Sequence, residues 1–384
     1  MNDSPLSRLS AFGQSIWLDF IRRGMLSSGK LLQLIEEDGL RGVTSNPPIF
    51  ERAIAGSHDY DEAIRLLALR ERSVEAIYEA LTVEDVQRAS DLFRPTYDGT
   101  AGRDGFVSLE VSPHLADDSA GTVVEARRLW AAVDRPNVLI KVPATVEGLL
   151  AVQQLIGEGI NVNVTLLFGL ARYRDVAEAY LAGLETRAAR SEPLEHVASV
   201  ASFFLSRIDV LVDPVLERLI QGEGSGAGVA ASIHGQVAIA SAKVAYQIYK
   251  EIFGGARFRR LAATGARTQR PLWASTGTKN PAYSDVKYVE PLIGPGTVST
   301  LPLETLDAYR DHGNPAPRLE EGAAGARHVF RQLCQLGIDV EEVTRQLEKE
   351  GVQKFIDSYD RLIERLKEAR ASALGEPIDR QAPG

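Results

Sequence analysis

Lys141 sits in the middle of the apolar run Val138-Leu139-Ile140-Lys141-Val142-Pro143-Ala144-Thr145. Such a run, bounded by Arg135-Pro136-Asn137 and by Glu147-Gly148, reads as a buried strand of a parallel sheet. Burial disfavours the charged form of an amine, and a neutral amine attacks carbonyls and forms Schiff bases. Alone, the residue has a plainer reading, because most lysines in apolar runs extend the ammonium to solvent or to an ion pair. The chemistry depends on what the fold brings beside it.

Strand-like and helix-like patterns alternate along the 384 residues. Strands are predicted at 14–20, 42–45, 106–111, 138–145, 160–168, 197–204, 271–276 and 286–291. Helices are predicted at 31–37, 59–81, 83–96, 122–133, 147–158, 170–184, 208–219, 232–253 and 341–370. Strands alternating with helices imply a parallel sheet. With no central linker, the α/β pattern favours one closed (β/α)8 barrel, a TIM barrel with extra helices and a C-terminal helix, over a two-domain doubly wound fold. Residues 1–370 form that single domain in this reading, and 371–384 are expected to be a frayed tail. The C-terminal helix carries apolar residues at helical spacing, which suits packing over the barrel mouth, core packing or a subunit contact. The glycine-rich stretch 222–228 reads as a flexible linker.

Barrel chemistry sits at the C-terminal ends of the strands. The polar residues there are Asp19, then Thr44, Ser45 and Asn46, then Glu110, Lys141, Asn163 and Thr165, then Ser202 and Arg207, then Ser275 and Lys279. Each has a plain alternative. Asp19 could cap a helix. Asn46 before two prolines could be a turn residue. Glu110 could simply neutralise Lys141. Thr165 suits any strand, and Arg207 suits a helix surface. The set taken together is harder to explain that way. Two carboxylates, a lysine, hydroxyls and two cations on one rim are what Schiff-base aldol chemistry needs.

Composition narrows the class. The chain is 44% hydrophobic and 25% charged, an ordinary globular balance. Its net charge of -9 leaves no broad basic field, so nucleic acid is not expected as a partner. No apolar stretch reaches the length of a membrane span. The one cysteine, Cys334, excludes a disulfide framework and suits a reducing, cytoplasmic setting; its helical context reads as a buried structural thiol. The six histidines show no metal-ligand spacing, and no metal or cofactor is expected. The sequence leaves monomer and homodimer open.

Six segments carry a resemblance. They are Gly42-Val43-Thr44-Ser45-Asn46-Pro47, Val107-Ser108-Leu109-Glu110-Val111, Ile140-Lys141-Val142-Pro143-Ala144-Thr145, the stretch 160–168, Ser202-Phe203-Phe204-Leu205-Ser206-Arg207, and the stretch 273–281. In this order the chain resembles the transaldolases of the non-oxidative pentose phosphate pathway. The resemblance implies a transferase of aldehyde and ketone residues. It would move a dihydroxyacetone unit, turning sedoheptulose 7-phosphate and glyceraldehyde 3-phosphate into erythrose 4-phosphate and fructose 6-phosphate. Lys141 then corresponds to the Schiff-base lysine, Glu110 and Thr165 to the pair around a catalytic water, and Asp19 to the acid–base at the sugar hydroxyl. Thr44, Asn46, Ser202 and Phe204 correspond to groups around the dihydroxyacetone unit. Arg207 and Ser275 correspond to phosphate ligands. In the shorter transaldolases a second arginine follows the Ser275 position closely; here Lys279 is the candidate substitute. Two rivals remain: a fructose 6-phosphate aldolase, whose chains are shorter and carry tyrosine at the Phe204 position, and a barrel that only binds sugar phosphates. Glu110 and Phe204 speak against the first, and the joint presence of Lys141, Glu110 and Asp19 against the second.

Overall fold

A computed structural model describes residues 4–70, 72–222, 224 and 226–375. Eight parallel strands close a barrel in sequence order. They are β1 (Gln14–Leu18), β2 (Gly42–Val43), β3 (Phe106–Glu110), β4 (Val138–Pro143), β5 (Val162–Leu167), β6 (Ser199–Phe204), β7 (Arg270–Ala274) and β8 (Thr297–Leu301). β8 pairs with β1 through Gln14–Thr297 to Leu18–Leu301. The (β/α)8 expectation holds.

The strands are buried along almost their whole length, because helices cover the outside while side chains fill the inside. Hydrophobic side chains such as Val142, Val164, Phe203 and Trp273 are inaccessible or nearly so. Gly42 explains how the short β2 fits. A Cβ there would lie 2.7 Å from both the Trp17 ring and the Phe106 carbonyl oxygen.

Several boundaries differ from the sequence reading. Residues 286–291 are not a strand; a short 3-10 turn, Glu290–Leu292, ends that stretch, and the eighth strand is Thr297–Leu301. The β-branched and aromatic residues Val286, Tyr288 and Val289 imitated a strand, whereas the true one is rich in Thr and Ser. The helices predicted at 59–81 and 83–96 are instead Asp61–Ala68 and one 26-residue helix, Val74–Gly99. Ser73 starts the latter by accepting a hydrogen bond from Ala76 N–H. The predicted 232–253 helix is interrupted at 234–236, between Ala227–Ile233 and Val237–Phe253. Cys334 is exposed and free, not buried. Among residues of the 222–228 linker, 223 and 225 lie outside the described residues.

The last helix, Val340–Leu374, is 35 residues long. It packs against helices Pro47–Ala55, Asp61–Ala68, Val74–Gly99 and Ser206–Gln221 and touches β5, so it crosses the C-terminal face of the barrel. Gly351 makes the close approach possible: a Cβ there would lie 3.1 Å from Leu166 and 3.6 Å from an Arg207 guanidinium nitrogen. The helix ends at Leu374, four residues beyond the expected end; of the expected tail, 376–384 lie outside the described residues. No helix among the described residues is long and apolar enough to cross a membrane.

Candidate active site

A cavity of about 750 Å³ opens at the C-terminal ends of the strands. Ten of the eleven residues to which the resemblance gives a role line it: Asp19, Thr44, Asn46, Lys141, Thr165, Ser202, Phe204, Arg207, Ser275 and Lys279. The barrel brings them together because alternate residues on each strand point inward and the strand ends share one rim. Glu110, the eleventh, lies behind Lys141. It borders a smaller cavity of about 60 Å³ that it shares with Tyr78, Glu125 and Tyr359.

Lys141 is 3% exposed. Its Nζ lies 2.9 Å from Glu110 Oε2 and donates to the Ser45 carbonyl oxygen at 2.8 Å. The Glu110 contact is a buried ion pair, and the Ser45 carbonyl oxygen gives the amine a directed acceptor. Burial raises the Glu110 pKa, and the Lys141 charge partly opposes that rise. The Lys141 amine also lies 5.9 Å from the centroid of the Phe355 ring on the last helix.

The hydroxyl side of the cavity holds two hydrogen-bonded sets. Thr44 Oγ1 donates to Asp19 Oδ1 at 2.7 Å and shares a 2.8 Å hydrogen bond with Thr300 Oγ1. Ser202 Oγ donates to Asn163 Oδ1 at 2.7 Å, and Asn163 Nδ2 donates to Ser108 Oγ at 3.0 Å. Thr165 Oγ1 is buried with no hydrogen-bond partner among the described residues, so it has a free donor and acceptor for a ligand or water. The three inward polar residues of the fifth strand's segment thus work at different depths. Asn161, the lowest, ties backbone together: it accepts from Ala198 N–H and donates to the Pro136 and Val138 carbonyl oxygens. β5 is irregular between Val164 and Leu167, and Leu166 takes a left-handed φ of 57°.

Asn46 keeps the structural role open to it: its Oδ1 accepts from Ile49 N–H and caps helix Pro47–Ala55. The residue also lines the cavity. Ser275 also sits at a left-handed φ, 53°, and its hydroxyl meets that of Ser206 at 2.9 Å.

The outer wall is cationic. Among the described residues, the Arg207 guanidinium has no hydrogen-bond or ion-pair partner; it lies 5.8 Å from the Phe204 ring centroid. Burial lowers its pKa, with Glu350 and Asp19 acting the other way. Lys279 is exposed by surface area, yet it lines the cavity. Reduced hydration there, together with the Arg207 and Arg52 charges, lowers its pKa. Cations left unpaired around a cavity are poised for an anion.

The sequence reading missed Thr300, Phe355, Lys354 and Arg52, all of which line the cavity. Thr300 went unseen with the misplaced eighth strand. Arg52 had one available signal: it lies on the helix that Asn46 caps. Phe355 and Lys354 gave no signal, since nothing local says which face of the last helix meets the barrel.

A family model described as Transaldolase/Fructose-6-phosphate aldolase matches residues 16–366. The chain belongs to this family. It is 48% identical to the transaldolase of Saccharopolyspora erythraea over 367 residues, covering 95% of this chain and 98% of that protein. It is 49% identical to the transaldolase of Thiobacillus denitrificans over 355 residues, covering 92% and 97%. The Trichodesmium erythraeum transaldolase is 47% identical over 373 residues, covering 96% and 98%. The likeness therefore spans the barrel and the covering helix alike. Membership places the chain among transferases of aldehyde and ketone residues, with sugar phosphates as the substrate class. The fructose 6-phosphate aldolase alternative gains no support from these relatives.

Proposed function

We propose that the chain transfers a dihydroxyacetone unit between sugar phosphates through a Schiff base on Lys141. The observation that carries this reading is the buried Lys141–Glu110 pair beside a cavity that also holds Asp19 and the unpaired Arg207. Glu110 takes a proton from the Lys141 ammonium. The free amine adds to the ketose carbonyl carbon, and the carbinolamine hydroxyl leaves as water after Glu110 returns the proton through a water held at Thr165. The product is an iminium.

Asp19 then accepts the proton of the sugar hydroxyl next to the bond that breaks. The carbon–carbon bond electrons flow into the iminium, which becomes an enamine, and an aldose phosphate leaves. Thr44 and Thr300 orient the Asp19 carboxylate. Ser202 and Asn46 hold the hydroxyls of the three-carbon unit. Arg207, Ser275 and Lys279 hold the distal phosphate. The acceptor aldose enters the same place, the enamine carbon attacks its aldehyde, and Asp19 returns its proton to the new hydroxyl. Water adds back to the iminium and frees Lys141. In the forward direction sedoheptulose 7-phosphate and glyceraldehyde 3-phosphate become erythrose 4-phosphate and fructose 6-phosphate. The free, exposed Cys334 supports a cytoplasmic setting.

The test is acceptor dependence. With fructose 6-phosphate as donor, ketose consumption should need erythrose 4-phosphate and yield sedoheptulose 7-phosphate. Release of dihydroxyacetone at the same rate without acceptor would point to aldol cleavage instead.

A further inference from the structure

Arg207 and Lys279 come from different parts of the chain. Arg207 is fixed early in helix Ser206–Gln221. Lys279 sits in the long connection from β7 to β8. A lysine ammonium is a point charge on a flexible stem, so its position depends on how its loop is held.

The loop is held by two buried carboxylates of the Arg207 helix. Asp209 Oδ2 accepts from Lys287 Nζ at 2.9 Å and from Tyr288 Oη at 2.9 Å. Asp213 Oδ2 accepts from Tyr283 Oη at 2.7 Å. Asp209 and Asp213 are four residues apart and so share one face of the helix. Their remaining oxygens accept from Ala238 N–H at 2.8 Å and Gly235 N–H at 2.9 Å, which ties the next helical segment to the same place. Lys287 Nζ lies 3.2 Å from the Tyr283 ring centroid. The loop is also closed on itself: Thr278 Oγ1 donates to the Ser284 carbonyl oxygen at 2.8 Å. Lys279 therefore lies inside a short segment pinned at Thr278 and, through Tyr283, at Asp213. The connection runs from Arg207 along its helix to Asp213, across to Tyr283 and back to Lys279.

We propose that Asp209, Asp213, Tyr283, Lys287 and Tyr288 form a positioning clamp. It fixes the Lys279 loop against the Arg207 helix and so sets the spacing at which the two cations hold a substrate phosphate. None of the five residues lines the cavity. The inference rests on the phosphate-holding role proposed for Arg207 and Lys279. It also assigns a use to the 286–291 segment, whose Lys287 and Tyr288 serve anchoring rather than a strand.

The experiment uses the double variant Tyr283→Phe/Tyr288→Phe, which removes both phenol donors and keeps both rings. Lys279→Met is made in parallel, and the triple variant completes the cycle. Two readouts are compared: KM for fructose 6-phosphate, and the rate of borohydride trapping with dihydroxyacetone, a donor without phosphate. The clamp predicts a rise in KM of roughly tenfold in the double variant, the scale of losing one Lys279 hydrogen bond to the substrate phosphate. Trapping with dihydroxyacetone should stay within about twofold of wild type, because it does not use the phosphate cations. The triple variant should raise KM little beyond Lys279→Met alone. If Lys279→Met leaves KM unchanged, the phosphate role itself is wrong and the clamp falls with it. If Lys279→Met raises KM and the double variant does not, the phosphate role stands and the clamp is refuted. A double variant that slows dihydroxyacetone trapping as much as it raises KM also refutes it, since that is a general structural defect.

Discussion

Lys141 Nζ lies 2.9 Å from Glu110 Oε2, and the two residues are register partners on neighbouring strands β3 and β4. The barrel itself thus enforces the pairing of the amine with the carboxylate. Neither side chain needs a loop to find the other. An isolated buried ammonium would be costly, and the ion pair with one directed carbonyl acceptor keeps it tolerable.

Glu110→Gln should lower kcat/KM by about 10²–10⁴, the range for removing a positioned proton-transfer group. The pH profile separates this from a packing defect. Burial raises the Glu110 pKa, so in the wild type activity falls with acid at a higher pH than an ordinary glutamate would set. Below that point Glu110 is protonated and cannot accept the Lys141 proton. The variant should lack this acid limb. A variant that keeps the limb would assign it to another group.

Lys279 carries a lowered pKa, first from reduced hydration and then from the Arg207 and Arg52 charges. It gives up its charge at a lower pH than an ordinary lysine. KM for fructose 6-phosphate should therefore rise on the alkaline side while Lys279 deprotonates. Lys279→Arg keeps the charge and should move that rise to higher pH. Identical KM profiles for the two proteins would remove Lys279 from phosphate binding.

Phe355 is 2% exposed and closes the cavity from the last helix, 5.9 Å from the Lys141 amine. Phe355→Ala opens that wall to water, and excluded water is what protects a reactive enamine. The fraction of enamine released as dihydroxyacetone, measured against transferred product, should rise by roughly tenfold. Stability should also fall by about 3–5 kcal/mol from the cavity left behind. An unchanged ratio of release to transfer would mean that the helix covers the site without guarding it.

The sequence showed the floor of the site better than its roof. Lys141, Glu110, Asn163 and Ser202 sit on strands, where a period of two fixes which side chains point inward. Once the barrel was inferred, their convergence followed. Thr300 was hidden because Thr297–Leu301 lacks the apolar run that marks a buried strand, while 286–291 has strand-forming residues without the pairing. Phe355, Lys354 and Arg52 come from helices whose docking angle depends on distant packing. Gly351 illustrates the limit: its value lies in the approach to Leu166 and Arg207, which no local pattern records. Cys334 followed the same logic, since the Leu333 and Leu336 spacing does not say how far the apolar stripe extends.

The most direct test of Schiff-base transfer is borohydride trapping with fructose 6-phosphate, read by intact mass and peptide mapping. A Schiff base at Lys141 predicts one covalent three-carbon adduct on that residue, absent in Lys141→Ala. No mass increase in the wild type, or an equal increase in Lys141→Ala, would contradict it.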